Sequence, residues 1–172
     1  MEAHLEMLLR WNQKLNLTAI RTREEAIERH YCESLFLGMR LPAGRLRIAD
    51  VGSGAGFPGF PVAVLRPDCE VTLIESHQRK AVFLKEASRK QANVRVLARR
   101  AEEVAGRFDR VISRAVSYED LAGVLKNLAP AADLLTGGEE PPEHLGFAWE
   151  PGVPLPWGKH RFLRTGKVRG TD

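Results

Sequence analysis

The chain has 172 residues, of which 44% are apolar and 28% charged, the profile of one globular domain. A chain of this size can bury about 68–70% of the surface it exposes when unfolded, enough for a real core. No stretch approaches the roughly 20 apolar residues a membrane helix needs, since the most apolar run, Phe57 to Leu65, is interrupted by Pro58 and Pro61. The opening Met1-Glu2-Ala3-His4 is not a basic stretch followed by an apolar run, so no secretory signal is expected. Cys32 and Cys69 stand apart without a CxxC pair, which points to a reducing, cytoplasmic setting and to neither a disulfide scaffold nor a metal site. Membrane, fibrous, secreted mini-protein and metal-finger classes are thereby excluded.

Lys and Arg number 26 against 22 Asp and Glu, a net charge of +4 that permits a nucleic-acid partner without requiring one. Arg95, Arg99, Arg100, Arg107, Arg110 and Arg114 concentrate in the middle of the chain, while Lys159, His160, Arg161, Arg164, Lys167 and Arg169 crowd its end. Solvated faces and strand-edge gatekeepers would account for both groups equally well.

In chain order, Leu5, Leu8, Leu9 and Leu15 recur at helical spacing and predict a short opening helix within residues 1–17. Thr22 followed by Glu25 is a capping-box pattern that starts a second helix through Ile27, Tyr31 and Leu35, and Gly38 can end it. From Leu46 the period changes. Leu46 to Val51 reads as a strand running into Gly52, Gly54, Gly56 and Gly59, with a helix across Pro58 to Leu65. Strands at Val71–Glu75, Val94–Ala98, Arg110–Ser113 and Ala132–Thr136 alternate with helices at His77–Gln91, Glu102–Ala105 and Tyr118–Leu128. After Gly137 the best strand is Arg161–Val168. This alternation predicts a doubly wound α/β fold with a mostly parallel sheet covered on both faces. The expected organisation is one domain: a helical extension over 1–44, a cofactor-binding core over 45–136 and a C-terminal part of the sheet over 137–172.

The segment Asp50-Val51-Gly52-Ser53-Gly54-Ala55-Gly56-Phe57-Pro58-Gly59 carries most of the chemical information. Gly54, Gly56 and Gly59 satisfy the G-x-G-x-x-G dinucleotide pattern, and Glu75 stands where that pattern wants its ribose-binding acid. The glycine series begins earlier, however, at Gly52, two residues after Asp50. A carboxylate there is poorly placed beside a pyrophosphate and suits a ligand with a cationic head, as in S-adenosylmethionine, which carries an ammonium and a sulfonium and no phosphate. Glu75 would accept both ribose hydroxyls, and the glycines would let backbone approach the ligand. A phosphate loop is excluded because no Gly-Lys-Ser/Thr follows.

Further segments make the chain resemble the small-subunit ribosomal RNA guanine-N7 methyltransferases, the glucose-inhibited division protein B family. They are Trp11 to Ile20, His30 with Glu33-Ser34-Leu35, Asp50 to Pro61, Leu73 to Ser76, Arg100 to Glu103, and Phe108 to Val116, in family order over residues 8 to 116. The resemblance implies S-adenosylmethionine as cofactor and N7 of a guanine in ribosomal RNA, or in the small subunit, as target. It implies Asp50, Gly52, Gly54, Gly56 and Phe57 along the methionine and ribose side, Glu75 at the ribose, Ala101 and Glu102 at the adenine, and Arg114 in the same crevice. Arg114 could instead pair with a carboxylate such as Glu102. Asn16, Thr18 and His30 are assigned to the RNA side, with capping, turn and hydrogen-bonding duties as the structural alternative. Arg100, Arg107, Arg110, Lys159 and Arg161 are candidate phosphate contacts, and Trp11 or Phe57 a candidate base-stacking ring. No metal, no membrane and a monomer are expected.

Three departures accompany the resemblance. Met1 falls only ten residues ahead of Trp11, Glu33 stands where the family usually has Asp, and Asp133 to Pro142 lacks the usual Lys-Gly and following helix. A non-catalytic RNA- or ribosome-binding relative, or a methyltransferase for a small molecule or protein, is the alternative reading.

Overall fold

A computed structural model describes residues 1–170; Thr171 and Asp172, at the end of the expected C-terminal segment, lie outside them. The chain opens with α1 (Glu2–Leu15), then α2 (Arg23–Ala26), which continues through a π-helical stretch, Ile27–Cys32, into α3 (Glu33–Arg40). Thr22 caps α2 as its sequence predicts, its Oγ1 accepting from Glu25 N at 3.2 Å. Gly38 does not end the helix. A Cβ there would lie 2.9 Å from Leu65 Cδ2, so this glycine lets α3 approach the next layer closely.

The core alternates β1 (Arg47–Val51), α4 (Gly59–Leu65), β2 (Glu70–Ile74), α5 (Gln78–Ala87), β3 (Val94–Leu97), β4 (Arg110–Arg114), α6 (Tyr118–Leu121), α7 (Leu125–Leu128) and β5 (Ala131–Thr136). The helix expected over 118–128 is broken in two because Gly123 adopts φ +77 between its halves. The tail adds β6 (Phe147–Trp149), β7 (Val153–Pro154) and β8 (Phe162–Val168). The first two are too short and too interrupted by Pro and Gly to give a periodic signal.

The sheet runs β3-β2-β1-β4-β5-β8-β6, with β7 also on β8. Strands β1 to β5 pair in parallel, and β8 turns antiparallel to β5, β6 and β7. Alternation along β1 divides the core: Ile48 joins Leu8, Leu37, Val62, Leu73 and Phe83 on the face covered by α1, α3, α4 and α5, whereas Ala49 and Val51 join Leu121, Leu125 and Phe147 on the other. Strand order reverses between β1 and β4, so a crevice opens at their carboxyl ends, the usual ligand position in such sheets.

Candidate functional site

A cleft of about 420 Å³ fills that crevice, lined by the glycine loop, Glu75, Lys80, Arg114 and Ala115 on the sheet side and by Thr18, Arg29 and His30 from the N-terminal segment, Thr18 in the loop between α1 and α2. Gly52, Gly54 and Gly56 take φ of 70°, 56° and 97°, which disfavour any side chain. Gly59 serves a different need, since a Cβ there would lie 2.4 Å from Leu73 Cδ2 and 2.6 Å from Asp50 Oδ2. The loop is pinned to the end of β2, with the amides of Gly52 and Ser53 donating to Ile74 O at 3.0 and 3.1 Å. The Glu75 carboxylate is drawn into it: Gly54 N donates to Oε2 and His77 N to Oε1, both at 2.8 Å. Each carboxylate oxygen keeps a second lone pair free to accept a further hydrogen bond.

Asp50 is a correction. Its carboxylate was expected to face a cationic ligand, but strand alternation turns it inward beneath α4, fully buried and absent from the cleft lining. Its Oδ2 accepts from Gly59 N at 2.9 Å, while Oδ1 has no partner among the described residues. Burial pushes its carboxyl up to about 7. Asp50 therefore shapes the loop from below.

Arg114 does line the cleft at the end of β4, and its partner is Glu33 and not Glu102. Arg114 Nε donates to Glu33 Oε2 at 3.1 Å and its Nη2 to Arg29 O at 2.9 Å. Arg161 reaches the same carboxylate, Nε to Oε1 at 3.2 Å and Nη2 to Oε2 at 2.9 Å. Glu33, only 2% exposed, thus ties α3 to β4 and to the approach to β8. Two of the expected phosphate contacts are corrected by the same logic, because Arg161 is committed to Glu33 and Arg110 is buried in a bidentate pair with Asp133 at 2.6 and 3.0 Å. Arg100, Arg107 and Lys159 are exposed.

His30 sits on the π-helical stretch, a departure from regular helix that recurs at functional sites. Its Nε2 lies 2.8 Å from Thr18 Oγ1, and its ring stacks on Phe57 at 4.5 Å, so Phe57 is a buried wall of the site. Burial, reinforced by the positive charges of Arg114, Arg29 and Arg161, lowers its pKa to about 3 and keeps it neutral. Asn16 is exposed and takes the left-handed conformation that ends α1, with φ 49. The residue that clamps the segment before α2 is Asn12, which accepts from Thr18 N at 2.9 Å and donates to Ile20 O at 3.2 Å. Trp11 packs half-buried on Phe83. Ala101 and Glu102 lie on a 3-10 turn after β3, outside the cleft lining.

His4 was not foreseen. Its Nδ1 lies 2.5 Å from Tyr31 OH and its Nε2 3.0 Å from Ala55 O, so α1 braces the glycine loop from behind. The available signal was spacing, because His4, Leu8 and Asn12 recur every four residues on the buried face of α1.

A five-strand parallel run with an antiparallel strand beyond it, and a glycine loop closed on the acidic end of the second strand, define the Rossmann-like methyltransferase fold. An S-adenosylmethionine-dependent methyltransferase from Aquifex aeolicus superposes with a TM-score of 0.63 over 84% of this chain and 93% of that one, at 18% identity. The N-methyltransferase NodS from Bradyrhizobium japonicum does so with 0.62 over 87% and 100%, at 15% identity. Residues 1–135 match the family model of rRNA small subunit methyltransferase G, and the chain belongs to that family. The ribosomal RNA small subunit methyltransferase G of Halorhodospira halophila is 46% identical over 120 residues, 68% of this chain and 56% of the relative. That of Xanthomonas axonopodis is 41% identical over 71% of this chain and 58% of the relative, and that of Methylobacillus flagellatus 41% over 84% and 73%. The match thus spans somewhat more than half the length of the first two. Among the described residues no helix is long and apolar enough to cross a membrane.

Proposed function

We propose that this chain is an S-adenosylmethionine-dependent methyltransferase acting on N7 of a guanine in small-subunit ribosomal RNA. The observation that carries the reading is the Glu75 carboxylate held by two backbone N–H groups beside the bare Gly54 backbone, where a Cβ would meet nothing nearer than 3.9 Å. That pairing suits a ribose with two free hydroxyls lying against close backbone. Bound there, S-adenosylmethionine supplies an electrophilic methyl group.

The chain's own residues then bind and orient. Glu75 accepts the ribose hydroxyls, Gly52 to Phe57 pass beneath the methionine part, and Ala101 with Glu102 flank the adenine. They follow the end of β3, which neighbours the end of β2 through the Glu75 N to Leu97 O bond of 3.1 Å. We place the guanine past Ala115, in an adjoining cavity of about 280 Å³ lined by Tyr118, Thr136 and Arg161. Guanine N7 has a free lone pair and loses no proton on attack, so the site needs no strong base, in keeping with a neutral His30. Rate enhancement comes from alignment of nucleophile and methyl group. Exposing a stacked guanine costs a few kcal/mol, drawn from RNA contacts elsewhere on the protein.

Calorimetric titration with S-adenosylmethionine and with NAD, on wild type and Glu75→Gln, tests the donor site. Methyl transfer to small-subunit ribosomal RNA tests the substrate. Micromolar binding of the methyl donor alone, weakened in the variant and followed by RNA methylation, is the expected result. Absence of donor binding overturns the reading; donor binding without transfer to RNA overturns the substrate assignment.

A further inference from the structure

A second groove, of about 550 Å³, opens beside the edge strand β3 and shares no lining residue with the cofactor cleft. Its existence follows from the connection between β3 and β4. A parallel sheet normally carries helices on both faces, but here residues 98–109 supply only the 3-10 turn Ala101–Glu103 and the Val104–Phe108 loop. The strands under this gap are written accordingly. Thr72 and Arg95 are register partners on β2 and β3 and occupy the uncovered face, while Val71, Leu73, Val94 and Val96 turn toward α4 and α5.

The groove is rimmed by Arg47, Arg95, Arg99 and Arg107. Of the acidic residues flanking its lining, Asp109 pairs with Arg47 at 3.6 Å and Glu70 with Arg45, while Glu102 and Glu103 stand exposed on the 3-10 turn. Arg95, Arg99 and Arg107 are exposed, and their side chains form no ion pair or hydrogen bond among the described residues. Convergent guanidinium groups repel one another unless an anion joins them, and phosphate oxygens fit their forked donors. Arg47 and Glu70 mark the starts of β1 and β2, whereas the cofactor cleft lies at the strand ends. The groove runs along the sheet to Leu97 and Arg99 at the end of β3, which stands three strand spacings, roughly 14 Å, to the side of β4 and the target-base cavity beyond it.

We propose that this groove binds the RNA phosphate backbone at a position remote from the target base, supplying affinity that the cleft can use to expose that base. The proposal rests on the RNA-substrate reading above. Phosphate contacts position RNA without reading its sequence, and a second attachment raises overall affinity by holding the first in place.

The test is fluorescence anisotropy of a labelled small-subunit ribosomal RNA fragment from 50 to 200 mM KCl. Wild type is compared with Arg95→Ala/Arg99→Ala/Arg107→Ala and with the corresponding triple lysine variant. S-adenosylmethionine titration and a thermal midpoint are recorded for each. Losing three phosphate contacts makes the slope of log K against log salt shallower by about 2, so the wild type loses about 20-fold more affinity than the alanine variant over that range. The lysine variant keeps the wild-type slope, and donor affinity is the same in all three.

An unchanged slope in the alanine variant overturns the proposal, as does stronger competition by polyglutamate than by RNA, which would indicate an acidic protein partner. Wild type that binds the methyl donor but no RNA at 50 mM salt overturns the groove and leaves the donor site standing. RNA affinity lost in the variant, with no donor binding in any protein, would do the reverse. Should the triple variant fail to fold, Arg95→Gln and Arg107→Gln singly decide the matter, each flattening the slope by about 0.7.

Discussion

Replacing Glu33 by Gln keeps the shape of the side chain and removes its charge, leaving the guanidinium groups of Arg114 and Arg161 with one carbonyl oxygen between them. The two arginine side chains are 13% and 23% exposed, and the carboxylate lies between them at 2%. Breaking a buried pair from one side costs about 3–5 kcal/mol, because the surviving charge has lost its solvation as well as its partner. Partial exposure of Arg161 argues for the lower end, about 3 kcal/mol. For a chain of this length each kcal/mol moves the melting temperature by about 2–4 °C, so a fall of about 6–12 °C is expected. Thermal melting and urea unfolding at neutral pH measure it, with Arg161→Gln and the double variant closing a double-mutant cycle. In the double variant one of the stranded charges is gone, so the second substitution costs less than it does alone. Glu143→Gln, which breaks an ion pair whose carboxylate side chain is 87% exposed, should leave the midpoint in place and serves as the control. A Glu33→Gln midpoint within about 2 °C of wild type would refute the claim that this carboxylate ties α3 to β4 and the start of β8.

Gly59→Ala forces a methyl group to 2.4 Å from Leu73 Cδ2 and should cost about 1–3 kcal/mol by denaturant midpoint, whereas Gly137→Ala, with open space around it, should stay within about 0.5 kcal/mol. His30 and His4 have folded pKa values lowered to about 3 and about 4, so their contribution is present above pH 6.5 and is lost as pH falls below it. Between pH 6.5 and 4.5 each loses about 2 kcal/mol. Asp50, raised to about 7, acts oppositely: its contribution is present below the ordinary carboxylate range and lost as pH rises through about 7. Urea midpoints at pH 7 and 4.5 should therefore show a moderate acid loss in wild type, a steeper one in Asp50→Asn and little in His30→Gln; equal losses in all three would contradict these assignments. S-adenosylmethionine at 100 times its Kd should stabilise the protein by about 2.7 kcal/mol, a rise in melting temperature of about 5–11 °C that Glu75→Gln reduces at the same concentration.

The sequence by itself determined the alternation of strands and helices, the glycine loop and the acid at the end of β2, because each is written in neighbouring residues. Period-2 apolar runs make strands, glycines at Gly52, Gly54 and Gly56 permit positive φ, and the interval to Glu75 is one βαβ step. Family membership was legible for the same reason, through short contiguous segments that keep their order along the chain. What only the tertiary structure decided are the contacts made across long stretches of chain. Strand pleat, and not position near the loop, buried Asp50 beneath Gly59. The partner of Arg114 lies 81 residues away on a helix that packs on the far side of the crevice. Arg110 and Arg161 resembled their exposed neighbours in composition and proved to be ion-pair members, the first buried and the second half-buried. A charge declares its type in the sequence, but the carboxylate that neutralises it is chosen by packing.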